Sequence, residues 1–330
     1  MPFRTTDQAP AKPPIDPLAR FFELEAAFDA ERGFLGDHVP LRLVAANLVL
    51  SSGDPTTIAS SVRATAEELR QALRAFSSVS QPIQILIAAV LLQRGDHPAA
   101  FLAEVERVRG LMRNHKMRRV EIFETVAILA LRIRNALAPI TEEQVGRMRD
   151  IYEEMKRHHW LLTGPDDYPA CAFLAGQPGS PEDAANRANA IYEGLRKQVR
   201  LWRGDPLQTA SNMLALSPLD PAELVDRFQT LAIGFDEAGY RIRIGEYDEV
   251  AMLCFLARPA AKIVETVTGY AGVIRDRLRW ATKPIGFGLA SNLAFVRLVG
   301  NDRELGTLAD AKTLLDMQTV IAARQAAAAM

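Results

Sequence analysis

Eleven residues near the middle of the chain carry its densest chemistry. Residues 158–168 hold two adjacent histidines (His158, His159), a tryptophan (Trp160), a Gly-Pro turn, two aspartates (Asp166, Asp167) and a tyrosine (Tyr168). Histidine beside carboxylates can ligate a metal or act as acid and base. One aspartate can cap a following helix, while the second has no such duty. Two other stretches mix the same residue types: Trp202, Arg203 and Asp205 in VRLWRGDP, and Tyr240, Arg241, Arg243 and Glu246 in GYRIRIGEYDE. These positions are the candidate binding residues. The chain has no HExxH, paired CxxC, Walker loop, GxSxG or strand-flanked GxGxxG, so no catalytic residue, metal or cofactor is assigned.

Each candidate also has a purely structural explanation. Trp160, Trp202 and Trp280, with Met117 and Tyr240 at matching places, can plug gaps between neighbouring elements. That packing duty is the expected one for the tryptophans. Cations cluster nearby (Arg113, His115, Lys116, Lys156, Arg157, Arg196, Lys197, Arg200, Arg277, Arg279, Lys283) and suit helix C-termini. The carboxylates Asp166, Asp167, Asp205, Glu246, Asp248 and Glu249 stand where helix N-caps belong.

The elements that must position these residues are legible from a repeat. Ala45, Ala88, Ala127, Ala170, Ala210, Ala251 and Ala290 recur at intervals of 39 to 43 residues, each inside a short apolar run. A period of that length marks stacked helical hairpins. Alanine and leucine dominate the runs, which favours helix over strand. Before each run lies a longer amphipathic segment; in 221–240, for example, Leu224, Phe228, Leu231 and Phe235 form one stripe. Prolines fall at or just before the expected helix starts, where the first amide has no intrahelical partner.

The spacing predicts an all-α chain of seven αα-hairpins of about 41 residues each. Each pairs an amphipathic helix A with a buried helix B. The expected spans are 17–53, 54–96, 97–138, 139–179, 180–218, 219–258 and 259–300. A capping helix is expected at 302–325, inside a single repeat domain of 17–325. Residues 1–16 read as a disordered Pro-rich arm and 326–330 as a frayed tail. The first-choice arrangement is an open α/α superhelix. The alternative is a closed α/α toroid, because B helices that are apolar all round want burial on both sides.

Composition removes several classes. A formal net charge of −1 provides no global field for nucleic acid or an anionic membrane. Two cysteines, Cys171 and Cys254, read as core residues in a reducing compartment. No signal peptide or membrane span is evident, so a soluble, cytoplasmic protein is expected.

The stretch MKRHHWLLTGPDDYPACAFLAG (155–176) resembles a bacterial domain-of-unknown-function family, number four-thousand-and-three. The matching residues are Leu162, Thr163, Asp166, Asp167, Tyr168 and Pro169. The resemblance implies no activity and no catalytic residue. It marks the 158–169 loop as a place to look.

On these residues the leading reading is an interaction scaffold for a protein or peptide, using the aromatic and arginine-rich loop edge. One alternative is an α/α-toroid enzyme of glycosidase or lyase type, with carboxylates across the ring mouth. Another is nucleic-acid or phosphate binding by the basic edge, which the interleaved carboxylates disfavour. The sequence leaves the oligomeric state open.

Overall fold

The computed structural model describes residues 16–31, 38–73, 79–278 and 285–299. The expected N-terminal arm, the expected capping helix, the tail, Trp280, Arg279 and Lys283 lie outside the described residues. Among those described there are fourteen α-helices and no strand. They alternate as outer and inner helices. The outer set is α1 (Pro17–Ala30), α3 (Pro55–Leu73), α5 (Pro98–Asn114), α7 (Glu142–His158), α9 (Pro181–Gly194), α11 (Pro221–Glu237) and α13 (Ala260–Leu278). The inner set is α2 (His38–Asn47), α4 (Gln81–Arg94), α6 (Glu121–Arg134), α8 (Tyr168–Leu174), α10 (Asp205–Leu214), α12 (Tyr247–Leu253) and α14 (Gly286–Val299).

Local chemistry sets the starts of the outer helices. Asp16 and Asp220 each cap their helix through a side-chain oxygen, followed by a proline in the first turn. Thr141 with Gln144, and Ser180 with Asp183, form reciprocal capping boxes on α7 and α9. The inner helices are buried along most of their length, with polar residues such as Gln208, Asn212 and Glu249 buried among the apolar ones; in α8 all seven residues are buried. Together with the outer stripes they form one continuous core.

The contacts match the closed ring rather than the open superhelix. Each outer helix packs on the next from α1 to α13, and α14 packs against both α1 and α2. The outer layer closes too: the Arg277 guanidinium lies 4.4 Å from the centre of the Phe22 ring. Burial raises the Tyr270 hydroxyl pKa, and Asp16, from the other end of the described chain, adds to it. Closure has a simple cause. An inner helix with no polar face leaves apolar surface wet at each open end of a stack, and joining the ends removes it from water.

A second device recurs that the sequence analysis missed. Arginines on the outer helices reach the carbonyls at the C-terminal ends of their own inner helices. Arg147 donates to Ala175 O and Gln177 O, both at 2.8 Å. Arg187 donates to Ala215 O at 3.2 Å, Ser217 O at 2.6 Å and Leu219 O. Arg227 donates to Cys254 O at 3.2 Å; Arg107, at the matching place, donates instead to Ile140 O at 2.5 Å, in the turn between α6 and α7. Arg107, Arg147, Arg187 and Arg227 are 40 residues apart. The last carbonyls of a helix have no intrahelical donor, and in a dry ring these guanidinium groups supply one.

Among the described residues no single helix is long and apolar enough to cross a membrane. Cys171 and Cys254 are free and buried, and burial pushes both thiols upward in pKa.

Arg187→Ala should cost about 3 kcal/mol, because it strands part-buried carbonyls that had a charged donor. Arg157→Ala removes only an exposed pair with Glu154 on the same helix and should cost within about 0.5 kcal/mol. Urea unfolding of both variants measures the difference.

Candidate functional site

The connections from outer to inner helices, 159–167, 195–204 and 238–246, are long and carry most of the candidate residues, with His158 ending α7 and Tyr168 and Asp205 opening α8 and α10. At the opposite edge the chain returns through short turns such as 175–180 and 215–220. Long loops on a rigid scaffold are where binding groups accumulate.

The aspartates divide sharply. Asp167 is buried and lies between two hairpins. Its Oδ2 accepts from Gly164 N at 3.1 Å and Gln208 Nε2 at 3.0 Å, and its Oδ1 accepts from Asn212 Nδ2 at 3.2 Å. Gln208 Nε2 also reaches Thr163 Oγ1 at 3.3 Å. Burial, reinforced by Asp166 and then Asp205, outweighs these donors and pushes the Asp167 carboxyl up to about 8. Gln208 Oε1 has no partner, so a half-turn of that amide would present an acceptor to a protonated Asp167. Asp166 is half-buried, and burial raises its pKa too. Asp205 is exposed in the first turn of α10.

Glu246 is also committed to structure. It accepts from Tyr240 Oη at 2.6 Å and from Arg243 N at 2.8 Å, which closes the turn ahead of α12. Tyr240 stacks on Phe287, ring centres 4.6 Å apart. Burial, then the Glu246 hydrogen bond, raises its hydroxyl pKa. Next to this turn, Glu249 N donates to Asp248 Oδ1 at 3.2 Å, and burial raises both carboxyls. Tyr168 is buried edge-on to Tyr152 and donates to Arg118 O at 3.2 Å.

The histidines and aspartates do not converge as a ligand set. His158 is exposed, while His159 turns toward the Tyr192 ring at 4.3 Å on α9. Burial, with His158 adding to it, lowers the His159 pKa. The crevice between these histidines and Asn212 measures about 10 Å³, too small for a ligand. No group of three metal-binding side chains forms among the described residues.

Trp160 and Trp202 overturn the packing expectation. Trp160 is 71% exposed, its neighbour Leu161 75% and Trp202 73%. The plugging is done instead by Met117 and Tyr240, which pack on the core. The backbone explains Trp202. After α9 the chain widens into a π-turn at Leu195–Val199, and Arg200 adopts a left-handed conformation at φ 63°. That turn throws Arg200, Trp202 and Arg203 outward. Gly204, at φ 134°, then lets the chain re-enter as α10.

The cations also divide. Arg157, Arg196 and Lys197 are bound to glutamates on their own helices. Arg200, Arg203 and Arg241 are exposed. Arg243 is exposed and only 3.9 Å from Glu246. Between the fifth and sixth hairpins, Trp202, Arg200, Arg241, Ile244 and Tyr247 line a groove of about 1060 Å³. Trp202 N approaches Tyr247 Oη at 3.4 Å across it. Arg203 points from the same loop but does not line the groove.

A closed ring of helical hairpins with a polar, aromatic loop edge is thus the class this chain represents. The chain belongs to the family described as "Protein of unknown function (DUF4003)", whose model matches residues 43–326. It is similar to "Uncharacterized protein YeaA" of Bacillus subtilis (strain 168), 28% identical over 188 residues, which are 57% of this chain and 55% of the relative. The chain therefore spans about half the length of that curated relative. No solved structure matches.

The Asp167 carboxyl predicts a pH signature. Between its ordinary value of 3.8 and the folded value of about 8, the folded chain keeps a proton that the unfolded chain releases. Its contribution to stability is therefore present at low pH and declines as pH rises through that window. Asp167→Asn stays neutral throughout. Melting temperatures measured from pH 5 to 8 should fall less steeply in the variant than in the parent. An unchanged slope would mean that Asp167 is already ionised at pH 5.

Proposed function

We propose that the protein is a binding scaffold whose groove between the fifth and sixth hairpins receives an extended, acidic segment of a partner protein. The observation that carries this reading is the exposed Trp202 ring beside Arg200 and Arg241. The two arginines have no carboxylate partner among the described residues, and all three line one groove. Tryptophan, tyrosine and arginine dominate binding hot spots because they bring area and directional hydrogen bonds at low entropic cost. Exposing a large aromatic costs stability unless something covers it, and free guanidinium groups favour carboxylates on the occupant. Buried, inert thiols suit a reducing, cytoplasmic setting for such a scaffold.

Two of the carboxylates that toroid catalysis could use are committed to structure: Asp167 is held by three donors and Glu246 by two.

A displayed random-peptide library selected on the full chain tests the reading. Acidic sequences should be enriched on the parent. A chosen peptide should bind Trp202→Ala or Arg241→Ala at least about 30-fold more weakly, with the helical circular dichroism unchanged. Enrichment of the same peptides on both variants would refute the groove as the site.

A further inference from the structure

A second cavity, of about 300 Å³, lies between the third and fourth hairpins beneath the exposed Trp160. It is distinct from the Trp202 groove and differs in chemistry. Four permanently charged cations line it: Lys116, Arg118, Arg149 and Lys156. Glu153 is the carboxylate among its lining residues. The cations come from two hairpins. Lys116 and Arg118 stand on the loop after α5, and Arg149 and Lys156 on α7.

These charges are poorly neutralised. Lys116 and Arg118 are exposed, with no carboxylate partner among the described residues. Arg149 meets only its neighbour Asp150, at 2.9 Å, in a pair about half exposed on both sides. Lys156 Nζ sits 5.8 Å from the centre of the Tyr152 ring, which holds the side chain over the cavity. The backbone fixes Lys116 as well. It is left-handed at φ 56°, and its N–H bonds Arg113 O at 2.9 Å while Met117 N bonds Met112 O at 3.1 Å. Holding like charges around one hollow costs free energy that an anion would recover.

We propose that this cavity binds the phosphate chain of a small polyphosphate ligand, with Trp160 at its rim placed to stack on a nucleobase. A net charge of about +3 from the lining side chains matches a di- or triphosphate, which carries roughly three to four negative charges. The cavity is too small for a folded partner and sits at the low end of ligand pockets. Lysine and arginine at several angles suit a tetrahedral phosphate, and an exposed indole suits a planar base. A nucleotide and an inorganic polyphosphate share the phosphate chemistry; the base contact separates them.

The experiment is calorimetric titration of the full chain with ATP and with inorganic tripolyphosphate, both free of divalent metal, alongside tryptophan fluorescence, in which the Trp160 share is the difference between the parent and Trp160→Ala. Variants are Lys116→Asn with Arg118→Gln together, Trp160→Ala, and Trp202→Ala. Asparagine tolerates the left-handed backbone at 116, and the replaced side chains are exposed, so folding should be kept and is checked by circular dichroism. Both ligands should bind the parent with a Kd of about 10–100 µM. The double variant should bind both at least about tenfold more weakly, and higher salt should weaken the parent. If the ligand is a nucleotide, ATP binds more tightly than tripolyphosphate and Trp160→Ala removes the difference. If it is inorganic polyphosphate, the two bind equally and Trp160→Ala changes neither, which supports the phosphate site and discards the stacking role. The proposal is overturned if neither ligand binds below about 1 mM or if the double variant binds like the parent. Trp202→Ala should leave binding intact, so failure here and failure of the peptide groove are separately visible.

Discussion

Seven inner helices without a wet face impose the governing constraint. A helix carries four unpaired N–H groups at one end and four unpaired carbonyls at the other. On a surface, water serves them. Inside this ring the outer helices and loops must. At the C-terminal ends the answer repeats in three successive hairpins: Arg147, Arg187 and Arg227 deliver charged donors to the exit carbonyls, while Arg107 donates to Ile140 O in the turn ahead of α7. In those three hairpins the contacts tie the outer helix to its own inner helix, so the hairpin is locked by polar bonds at its end and by apolar packing along its length.

At the N-terminal ends the answer varies from hairpin to hairpin. Asp167 gathers donors from its own turn and from the next inner helix, and so couples the fourth hairpin to the fifth. Glu246 closes its turn through Tyr240 and Arg243. Arg109, buried at α5, meets Glu124 at 3.3 Å and Thr125 at 3.0 Å on α6. Burial raises the Glu124 carboxyl, offset mainly by Arg109. One edge of the ring is therefore uniform and the other idiosyncratic. Idiosyncrasy at the loop-rich edge is what a binding surface requires, because a repeated edge would present the same chemistry in every hairpin.

Two hollows on that edge occupy comparable places, between the third and fourth hairpins and between the fifth and sixth. Each has an exposed tryptophan at its border and unpaired cations around it. The difference lies in the walls. Ile244 and the Tyr247 ring give the larger groove an apolar side, whereas the smaller is ringed by lysine and arginine. The contrast is local. The overall charge of −1 hides it, because intrahelical pairs such as Arg196–Glu193 absorb the other cations.

The repeat, the alternation of amphipathic and apolar helices, and the capping residues were legible in the chain, because they depend on neighbours within four residues or on a period visible by inspection. The family resemblance was carried by contiguous residues for the same reason. The arginine spacing of 40 was equally visible and was overlooked; its partners are carbonyls, which have no letter in a sequence. Ring closure was decided only in three dimensions, since Arg277 and Phe22 are far apart in the chain and their meeting depends on the summed tilt of every hairpin. The tryptophans show the limit most plainly. Their spacing from the repeat alanine is like that of Met117 and Tyr240, yet Met117 and Tyr240 pack inward while Trp160 and Trp202 face water. A π-turn and one left-handed residue accompany the outward direction at Trp202, and that turn lies packed against α11, a neighbour that sequence order alone does not place there.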